Sequence, residues 1–271
     1  MAPKNGTKNR YMQLMNSLNQ QQAIPGILGG LGTLSHVEFE RKLIYEQSQR
    51  GAFHDQDYPV WILINAANIP DRSVSILNGT ADCVPWLIHY GKLLESAGAD
   101  FLVVVCNTAH AFYHQVQPHL NIPWLNLIDL TVEFLAQNYP LIKTVGILAT
   151  DGTISAGLYE KSLQKMGLTV VSNPLNSSLQ KQIMQAIYHP QWGIKATGNS
   201  ISCEVYDTLH WVIAEFKNQA VDLIIPGCTE LAIAVSQMEQ ISIPWLDPLD
   251  IMAKITIDTA FYGVTKLTCK D

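Results

Sequence analysis

The sequence has few charged residues and no basic cluster. Only 15% of its 271 residues are Asp, Glu, Lys or Arg, compared with about 25% in an average soluble domain. The formal net charge is −6 and the pI is about 5.7, so no surface of this chain is expected to attract nucleic-acid phosphates. The shortage of surface charge instead predicts a homo-oligomer, in the simplest case a homodimer, in which a second copy covers part of the surface.

A long apolar run is also missing. Stretches such as Phe101–Val105 are far shorter than the roughly 20 residues that span a membrane, so we expect no membrane partner. The polar N-terminus has neither the apolar segment of a secretory signal nor the Arg-rich composition of a transit peptide. Residues 1–22 are therefore predicted to form a disordered extension, and the protein is predicted to be cytoplasmic.

No two cysteines are spaced as a CxxC pair. The chain has five: Cys83, Cys106, Cys203, Cys228 and Cys269. An odd number without paired spacing argues against a disulfide framework and against a sulfur-rich metal site. We therefore expect free thiols in a reducing compartment, with Cys83, Cys203 and Cys269 serving only to pack the interior.

The sequence repeats itself at an interval of about 120 residues. Three pairs of segments match: GILGGLGT from Gly26 with GILATDGT from Gly146, ADFLVVVCNTA from Ala99 with VDLIIPGCTEL from Val221, and IPWLNLID from Ile122 with IPWLDPLD from Ile243. The matches keep the same order and nearly the same spacing, which indicates a duplicated domain.

Each half alternates short apolar runs with longer stretches of helical periodicity. The runs WILIN, FLVVV, WLNLI, TVGIL, LTVV and DLIIP predict strands, and Val84–Gly98 and Ser202–Ala220 predict helices. This alternation is typical of βαβ units. The sequence therefore predicts an α/β fold of two pseudo-symmetric, doubly wound lobes, each with a central parallel sheet, and a site in the cleft between them. We expect residues 23–130 and 245–271 to form the first lobe and 131–244 the second.

Cys106 and Cys228 occupy the same position in the two halves, after a predicted strand and before a predicted helix. Pseudo-symmetry would place both thiols in one cleft, and a helix N-terminus can lower a thiol pKa from about 8.5 to roughly 3.5–7.5. Racemisation needs such a pair, because one thiolate removes the Cα proton while the opposite thiol supplies another. No metal or pyridoxal cofactor is required. The polar residues that follow can cap a helix, bind a carboxylate or orient the thiols: Asn107, Thr108, Thr229 and Glu230.

The matching segments resemble the cofactor-independent aspartate/glutamate racemases, and within them the aspartate racemase branch. GILGGLGT, NIPDRS, VCNTAH, GILATDGT, GIKATG and GCTE occur in the family's order and span nearly the whole chain after residue 22. The resemblance implies that Cys106 and Cys228 are the two bases, acting on the D- and the L-enantiomer respectively. It also implies that Arg72 and Lys195 bind the side-chain carboxylate, as a planar fork and a second positive charge.

The resemblance further implies that Asn107, Thr108 and Thr153 hold the α-carboxylate and the ammonium group. The substrate is expected to be aspartate or a close acidic relative such as 3-methylaspartate. In the first glycine-rich turn, Leu31 replaces the family's usual methionine and Thr33 its proline. Leu31 is expected at the mouth of the pocket, so this departure leaves the preferred substrate open.

Three alternatives remain open at this point. Cys106, His110 and His114 lie at i, i+4 and i+8 and would suit a metal site, although no fourth ligand is evident. A non-catalytic two-lobed protein that binds a small molecule is the second alternative. The third is a dicarboxylate isomerase or decarboxylase of the same fold.

Ser35 and Glu38 have the spacing of a capping box and predict a helix start at Ser35.

Overall fold

The computed structural model describes residues 21–198 and 200–264, in which the chain forms six strands and twelve α-helices. Strands β1 to β6 are Pro25–Gly29, Ile62–Asn65, Phe101–Val104, Thr144–Ala149, Thr169–Ser172 and Leu223–Gly227. Helices α1 to α12 are Thr33–Gln49, Arg72–Leu77, Val84–Ser96, Tyr113–Val116, Leu127–Asn138, Asp151–Ser155, Leu158–Lys165, Ser178–Tyr188, Ile194–Thr197, Cys203–Asn218, Thr229–Ser236 and Pro248–Tyr262. None of the helices described is long and apolar enough to cross a membrane.

The six strands form two parallel sheets of three strands with the same topology. The first sheet has the order β2-β1-β3 and the second the order β5-β4-β6. Trp124 and Trp245, which match in the repeat, form equivalent isolated bridges to Leu102 and Ile224. The prediction of an α/β fold with two pseudo-symmetric lobes, each built on a parallel sheet, is therefore confirmed.

A second pair of matching residues fixes the start of the central strands. The Asp100 carboxylate accepts a hydrogen bond from the backbone N–H of Ile24 at 2.6 Å. The Asp222 carboxylate accepts equivalent bonds from Lys143 and Thr144, both at 2.9 Å. These bonds tie the beginnings of neighbouring strands together. Because the strands are parallel, their carboxyl ends reach the same edge of each sheet, where the cleft lies.

The buried strands and the last helix, α12, form the hydrophobic core together. All residues of β3 and β6 are buried, which explains why these strands have continuous apolar runs and no alternation. Helix α12 packs against α1 and α5, and its residues Leu249, Met252 and Ile257 share a core cluster with Phe101. Ile251, on the same helix, belongs to a cluster with the strands of the second sheet. Helix α12 therefore contributes apolar side chains to the cores of both sheets.

The prediction that WLNLI is a strand is wrong. Only Trp124 of this segment pairs with the sheet, and helix α5 begins at Leu127. The side chain of Asn126 caps this helix by accepting hydrogen bonds from the backbone N–H groups of Ile128 and Asp129, at 3.1 and 3.4 Å. The N-cap residue therefore ends the extended segment after a single bridge.

The predicted capping box at Ser35 is also wrong. Helix α1 begins at Thr33, its N-cap is Gly32, and no side chain caps it. The Ser35 hydroxyl lies 2.6 Å from the Thr229 hydroxyl of the other lobe. A contact across the cleft has therefore replaced the local capping bond that the sequence suggested.

The remaining cysteines differ in their surroundings. Cys83 is buried, in agreement with a packing role, whereas Cys203 is exposed, so packing does not explain it. Cys269 and residues 1–20 of the predicted N-terminal extension lie outside the described residues. Gln22, at the end of that predicted extension, donates a backbone hydrogen bond of 2.8 Å to the Ala260 carbonyl on α12.

Candidate active site

A small cavity lies between the lobes at the carboxyl ends of the strands. Its walls are formed by Leu31, Arg72, Ser73, Cys106, Asn107, Thr108, Thr150, Tyr188, Lys195, Cys228, Thr229 and Glu230. All the site residues predicted from the sequence are in this set except Thr153. Thr153 lies behind the wall, where its hydroxyl is 2.9 Å from that of Thr108.

The cavity brings the two repeat-related cysteines together, one from each lobe. Cys106 follows β3 and precedes the 3₁₀ helix Thr108–Phe112, whereas Cys228 is the N-cap residue of α11. Only 7% of Cys106 and 5% of Cys228 is exposed. The sequence predicted an α-helix N-terminus beside both thiols, but only Cys228 lies at one.

Cys228 belongs to a buried network with Glu230 and Lys195. The thiol donates to Oε2 of Glu230 with an S–O distance of 3.3 Å, and Nζ of Lys195 binds Oε1 of the same carboxylate. Burial, followed by the negative charge of Glu230, raises the pKa of the Cys228 thiol well above its ordinary value, although Lys195 opposes the rise. Burial would also raise the pKa of Glu230, but Lys195 lowers it overall. Near neutral pH this network therefore pairs a charged carboxylate with a protonated thiol.

Arg72 is anchored by the backbone on one side of its guanidinium. Nη1 donates to the carbonyls of Ile69 and Pro70 at 3.3 and 3.1 Å, and Nη2 donates to the carbonyl of Leu31 at 2.6 Å. A guanidinium has five N–H groups, so these bonds leave the Nε–H and one N–H of Nη2. Nε is buried and has no hydrogen-bond partner among residues 21–198 and 200–264. Arg72 therefore retains donors that can bind a carboxylate.

The guanidinium of Arg72 also lies within electrostatic reach of Cys106. Burial would lower the pKa of Arg72, but the negative charge of Cys106 as a thiolate, and then that of Asp71, raise it. Arg72 therefore lies near Cys106, whereas the carboxylate of Glu230 is hydrogen-bonded to Cys228.

Two further polar atoms of the cavity wall have no hydrogen-bond partner in the part of the chain that the structure describes. They are Oγ of Ser73 and Nδ2 of Asn107, both buried. The amide of Asn107 is fixed by Tyr159, whose hydroxyl donates to Oδ1 at 2.5 Å, so that its N–H groups remain unused. Buried polar groups nearly always have a hydrogen-bond partner. Together with Nε of Arg72, these atoms indicate that the cavity receives a ligand with several acceptor oxygens.

Tyr188 closes the cavity on its outer side and was not found by sequence reasoning. Its hydroxyl donates to Oδ2 of Asp71 in the other lobe at 3.1 Å, and Nζ of Lys195 lies 5.5 Å from its ring centre. Tyr188 also lines a wider groove outside the cavity. It lies in none of the matching segments, whereas Ser73 and Thr150, also missed, lie inside NIPDRS and GILATDGT.

His110 and His114 do not form a common site. His110 is buried, and its Nδ1 lies 2.9 Å from the backbone carbonyl of Cys106, whereas His114 is exposed. Burial lowers the pKa of His110 to about 4, so the ring is neutral and its Nδ1–H donates to this carbonyl. Among residues 21–198 and 200–264, no group of three His, Cys, Asp or Glu side chains is placed to hold a metal ion.

The fold and the cavity together define a two-lobed α/β protein with one buried thiol from each lobe in its cleft. The Asp/Glu/Hydantoin racemase family model matches residues 28–256 of the chain. The protein therefore belongs to the Asp/Glu/Hydantoin racemase family.

Individual relatives are similar over most of their length. The broad specificity amino-acid racemase RacX of Bacillus subtilis (strain 168) is 30% identical over 237 residues, which cover 86% of this chain and 96% of RacX. The structure of Picrophilus torridus aspartate racemase is similar with a TM-score of 0.75 and 29% identity, covering 88% of this chain and 94% of that one. Glutamate racemase from Francisella tularensis subsp. tularensis SCHU S4 shares the fold, with a TM-score of 0.63, 19% identity and coverage of 92% and 83%.

Proposed function

We propose that the protein is a cofactor-independent racemase that interconverts L- and D-aspartate or a close acidic relative such as 3-methylaspartate. The observation that carries this proposal is the placement of Cys106 and Cys228, from equivalent positions of the two lobes, in the wall of one cavity. The similarity to an aspartate racemase supports the choice of aspartate. A binding protein would have no need of two thiols at one ligand.

The reaction needs two thiols in opposite protonation states. In one direction, the thiolate of Cys106 takes the Cα proton, and the electron pair of the broken C–H bond moves into the α-carboxylate. Cys228 then gives its proton to the opposite face of Cα and becomes a thiolate, so that no proton or electron is gained or lost overall. The reverse reaction uses the same groups with exchanged roles.

The cations of the cavity suit a substrate with a second carboxylate. We assign Arg72 and Lys195 to the side-chain carboxylate, because Arg72 retains N–H donors for a carboxylate and Lys195 adds a second positive charge. Asn107 and Thr108 are assigned to the α-carboxylate and the ammonium group. Thr153 would act by orienting the hydroxyl of Thr108, to which it is hydrogen-bonded.

The other predicted contacts belong to the same proposal. Thr229 and Glu230 would lie against the substrate near Cys228, and Leu31 would form part of the wall near Arg72, to which its carbonyl is bonded. The description of RacX as a broad specificity enzyme is a reason to test neutral and basic amino acids beside acidic ones.

The proposal is tested by incubating chelator-treated protein in D₂O with L-aspartate and no added cofactor. NMR follows the Cα proton and chiral chromatography follows the enantiomers, with glutamate, 3-methylaspartate, alanine and lysine in parallel. We expect loss of the Cα proton together with formation of D-aspartate. Saturable binding without exchange would establish a binding protein instead, and consumption of the dicarboxylate without its enantiomer would establish an isomerase or decarboxylase.

A further inference from the structure

The two thiols of the cavity are equivalent in the repeat but not in their charged surroundings. Cys228 donates to the carboxylate of Glu230 at 3.3 Å. No carboxylate is hydrogen-bonded to the thiol of Cys106 in the part of the chain that the structure describes, and the cation Arg72 lies beside it. A thiolate is destabilised by a neighbouring negative charge and stabilised by a positive one.

We propose that Glu230 keeps Cys228 as a thiol in the unliganded enzyme, so that Cys228 supplies the proton when the first substrate molecule binds. Glu230 is a positioning residue in this scheme, because it acts through the Cys228 proton. The inference rests on the proposed racemase function, in which each thiol must serve as both acid and base.

The position of Glu230 is fixed from several sides. Its Oε2 accepts a hydrogen bond of 3.0 Å from the Thr229 hydroxyl, which is in turn 2.6 Å from the hydroxyl of Ser35. Its Oε1 is held by Lys195. A Cβ atom at Gly32 would collide with the carboxylate, so only glycine leaves room for it there. These contacts hold the carboxylate beside Cys228.

The other charged and titratable groups around the thiols have defined effects. Near Cys228, Lys195 partly neutralises Glu230, and burial, followed by Asp71, raises the pKa of Tyr188, so this phenol is uncharged at neutral pH. Near Cys106 lie the cations Arg72 and Lys195. The buried thiol of Cys83 also interacts electrostatically with Cys106, and burial raises its pKa, so Cys83 is uncharged. The carboxylate that binds the thiol of Cys228 therefore has no counterpart at Cys106 among the described residues.

The carboxylate of Glu230 beside Cys228 affects the order of events in turnover. A turnover that starts with the thiolate on Cys106 ends with the thiolate on Cys228, beside Glu230. That form of the free enzyme has the higher free energy and tends to return the proton to Cys228. The resting enzyme should therefore react first with the enantiomer whose Cα–H faces Cys106.

The test measures the protonation of each thiol without using activity. The protein is alkylated with iodoacetamide for short times at a series of pH values, and the label on each cysteine is quantified by peptide mass spectrometry. The exposed Cys203 serves as an internal reference for the labelling reaction. We expect the pH midpoint of Cys228 labelling to lie above the range of an ordinary thiol.

Two substitutions should move Cys228 in opposite directions. Glu230→Gln removes the negative charge and should lower the pH midpoint of Cys228 labelling by about one to three units, the usual effect of a like charge at this distance. Lys195→Gln leaves Glu230 unneutralised and should raise the midpoint. Glu239→Gln, at an exposed position, is the matched control and should leave it unchanged.

Several results would overturn the proposed role of Glu230. A Cys228 midpoint in the range of an ordinary thiol, or an unchanged Cys228 midpoint in Glu230→Gln, would overturn it even if the enzyme racemises aspartate normally. Should Glu230→Gln fail to fold, the Cys228 midpoint in the unaltered protein and the shift in Lys195→Gln still decide. If Glu230 only bound the substrate ammonium group, Glu230→Gln would raise the KM for aspartate without changing the labelling of Cys228, and the proposal would fall.

Discussion

Nη2 of Arg72 donates a hydrogen bond of 2.6 Å to the carbonyl of Leu31, and this bond joins the start of α2 to the glycine-rich turn after β1. The bond anchors the guanidinium while other N–H groups stay available for a carboxylate. Lysine cannot reproduce both the anchor and these donors, because its ammonium group is a point charge. The geometry of Arg72, and not only its charge, should therefore matter for an acidic substrate.

Arg72→Lys is expected to raise the KM for aspartate by roughly 10- to 100-fold, which corresponds to the loss of one charge-assisted pair of hydrogen bonds. Steady-state kinetics by chiral chromatography measures this. The control is Arg50→Lys, because Arg50 pairs with Glu46 and Asp258 at the surface. An unchanged KM in Arg72→Lys would remove Arg72 from the substrate site.

Tyr188 separates the inner cavity from the outer groove, and two substitutions test this. Tyr188→Phe loses only the bond to Asp71 that joins the lobes and should raise the KM for aspartate by roughly two- to tenfold, as expected for one hydrogen bond. Tyr188→Ala joins the two spaces and should increase the ratio of kcat/KM for glutamate over aspartate. A ratio equal to that of the unaltered protein would contradict the role of the ring, and the exposed Tyr45→Phe serves as control.

His110 should make the folded protein less stable in acid. Its pKa falls from the ordinary value of 6.5 to about 4 on folding, so the unfolded chain binds a proton that the folded chain does not. The neutral His110 ring therefore contributes about 3 kcal/mol to the free energy of unfolding above pH 6.5. This contribution is lost as the pH falls towards 4. His110→Gln should reduce the pH dependence of the free energy of unfolding between pH 4 and 6.5, measured by urea titration. The exposed His119→Gln should leave it unchanged, and equal slopes for His110→Gln and the unaltered protein would contradict the prediction.

The homodimer predicted from the low surface charge remains a prediction. Large apolar side chains are exposed on the single chain, among them Ile44, Phe53 and Leu141, and a second copy would cover some of them. We expect light scattering after size exclusion to give twice the chain mass of 30.1 kDa. A mass of one chain at micromolar concentration would refute the prediction.

The duplicated fold was predictable because its signals are local and occur twice. Continuous apolar runs marked β3 and β6, and the matching positions of Cys106 and Cys228 predicted that both would reach one cleft. The prediction of a strand at WLNLI was wrong, because Asn126 caps a helix so soon after Trp124 that only Trp124 pairs with the sheet. A matching acidic cap at Asp247 of the second half was the signal that could have shown this.

Contacts between the lobes could not be predicted in the same way. Ser35 has the spacing of a local cap, but its hydroxyl contacts Thr229 across the cleft. Tyr188 lies outside all the matching segments and reaches the cavity only because α8 faces α2.

The most direct test of the two-thiol mechanism is deuterium exchange by single-cysteine variants. Cys106→Ser, Cys228→Ser and, as control, the exposed Cys203→Ser are each incubated in D₂O with L-aspartate and separately with D-aspartate. NMR follows the Cα proton and chiral chromatography the enantiomers. Both cavity variants are predicted to lose racemisation, with any remaining exchange confined to L-aspartate for Cys106→Ser and to D-aspartate for Cys228→Ser, while Cys203→Ser keeps full activity. Full racemisation by either cavity variant would contradict the two-thiol mechanism.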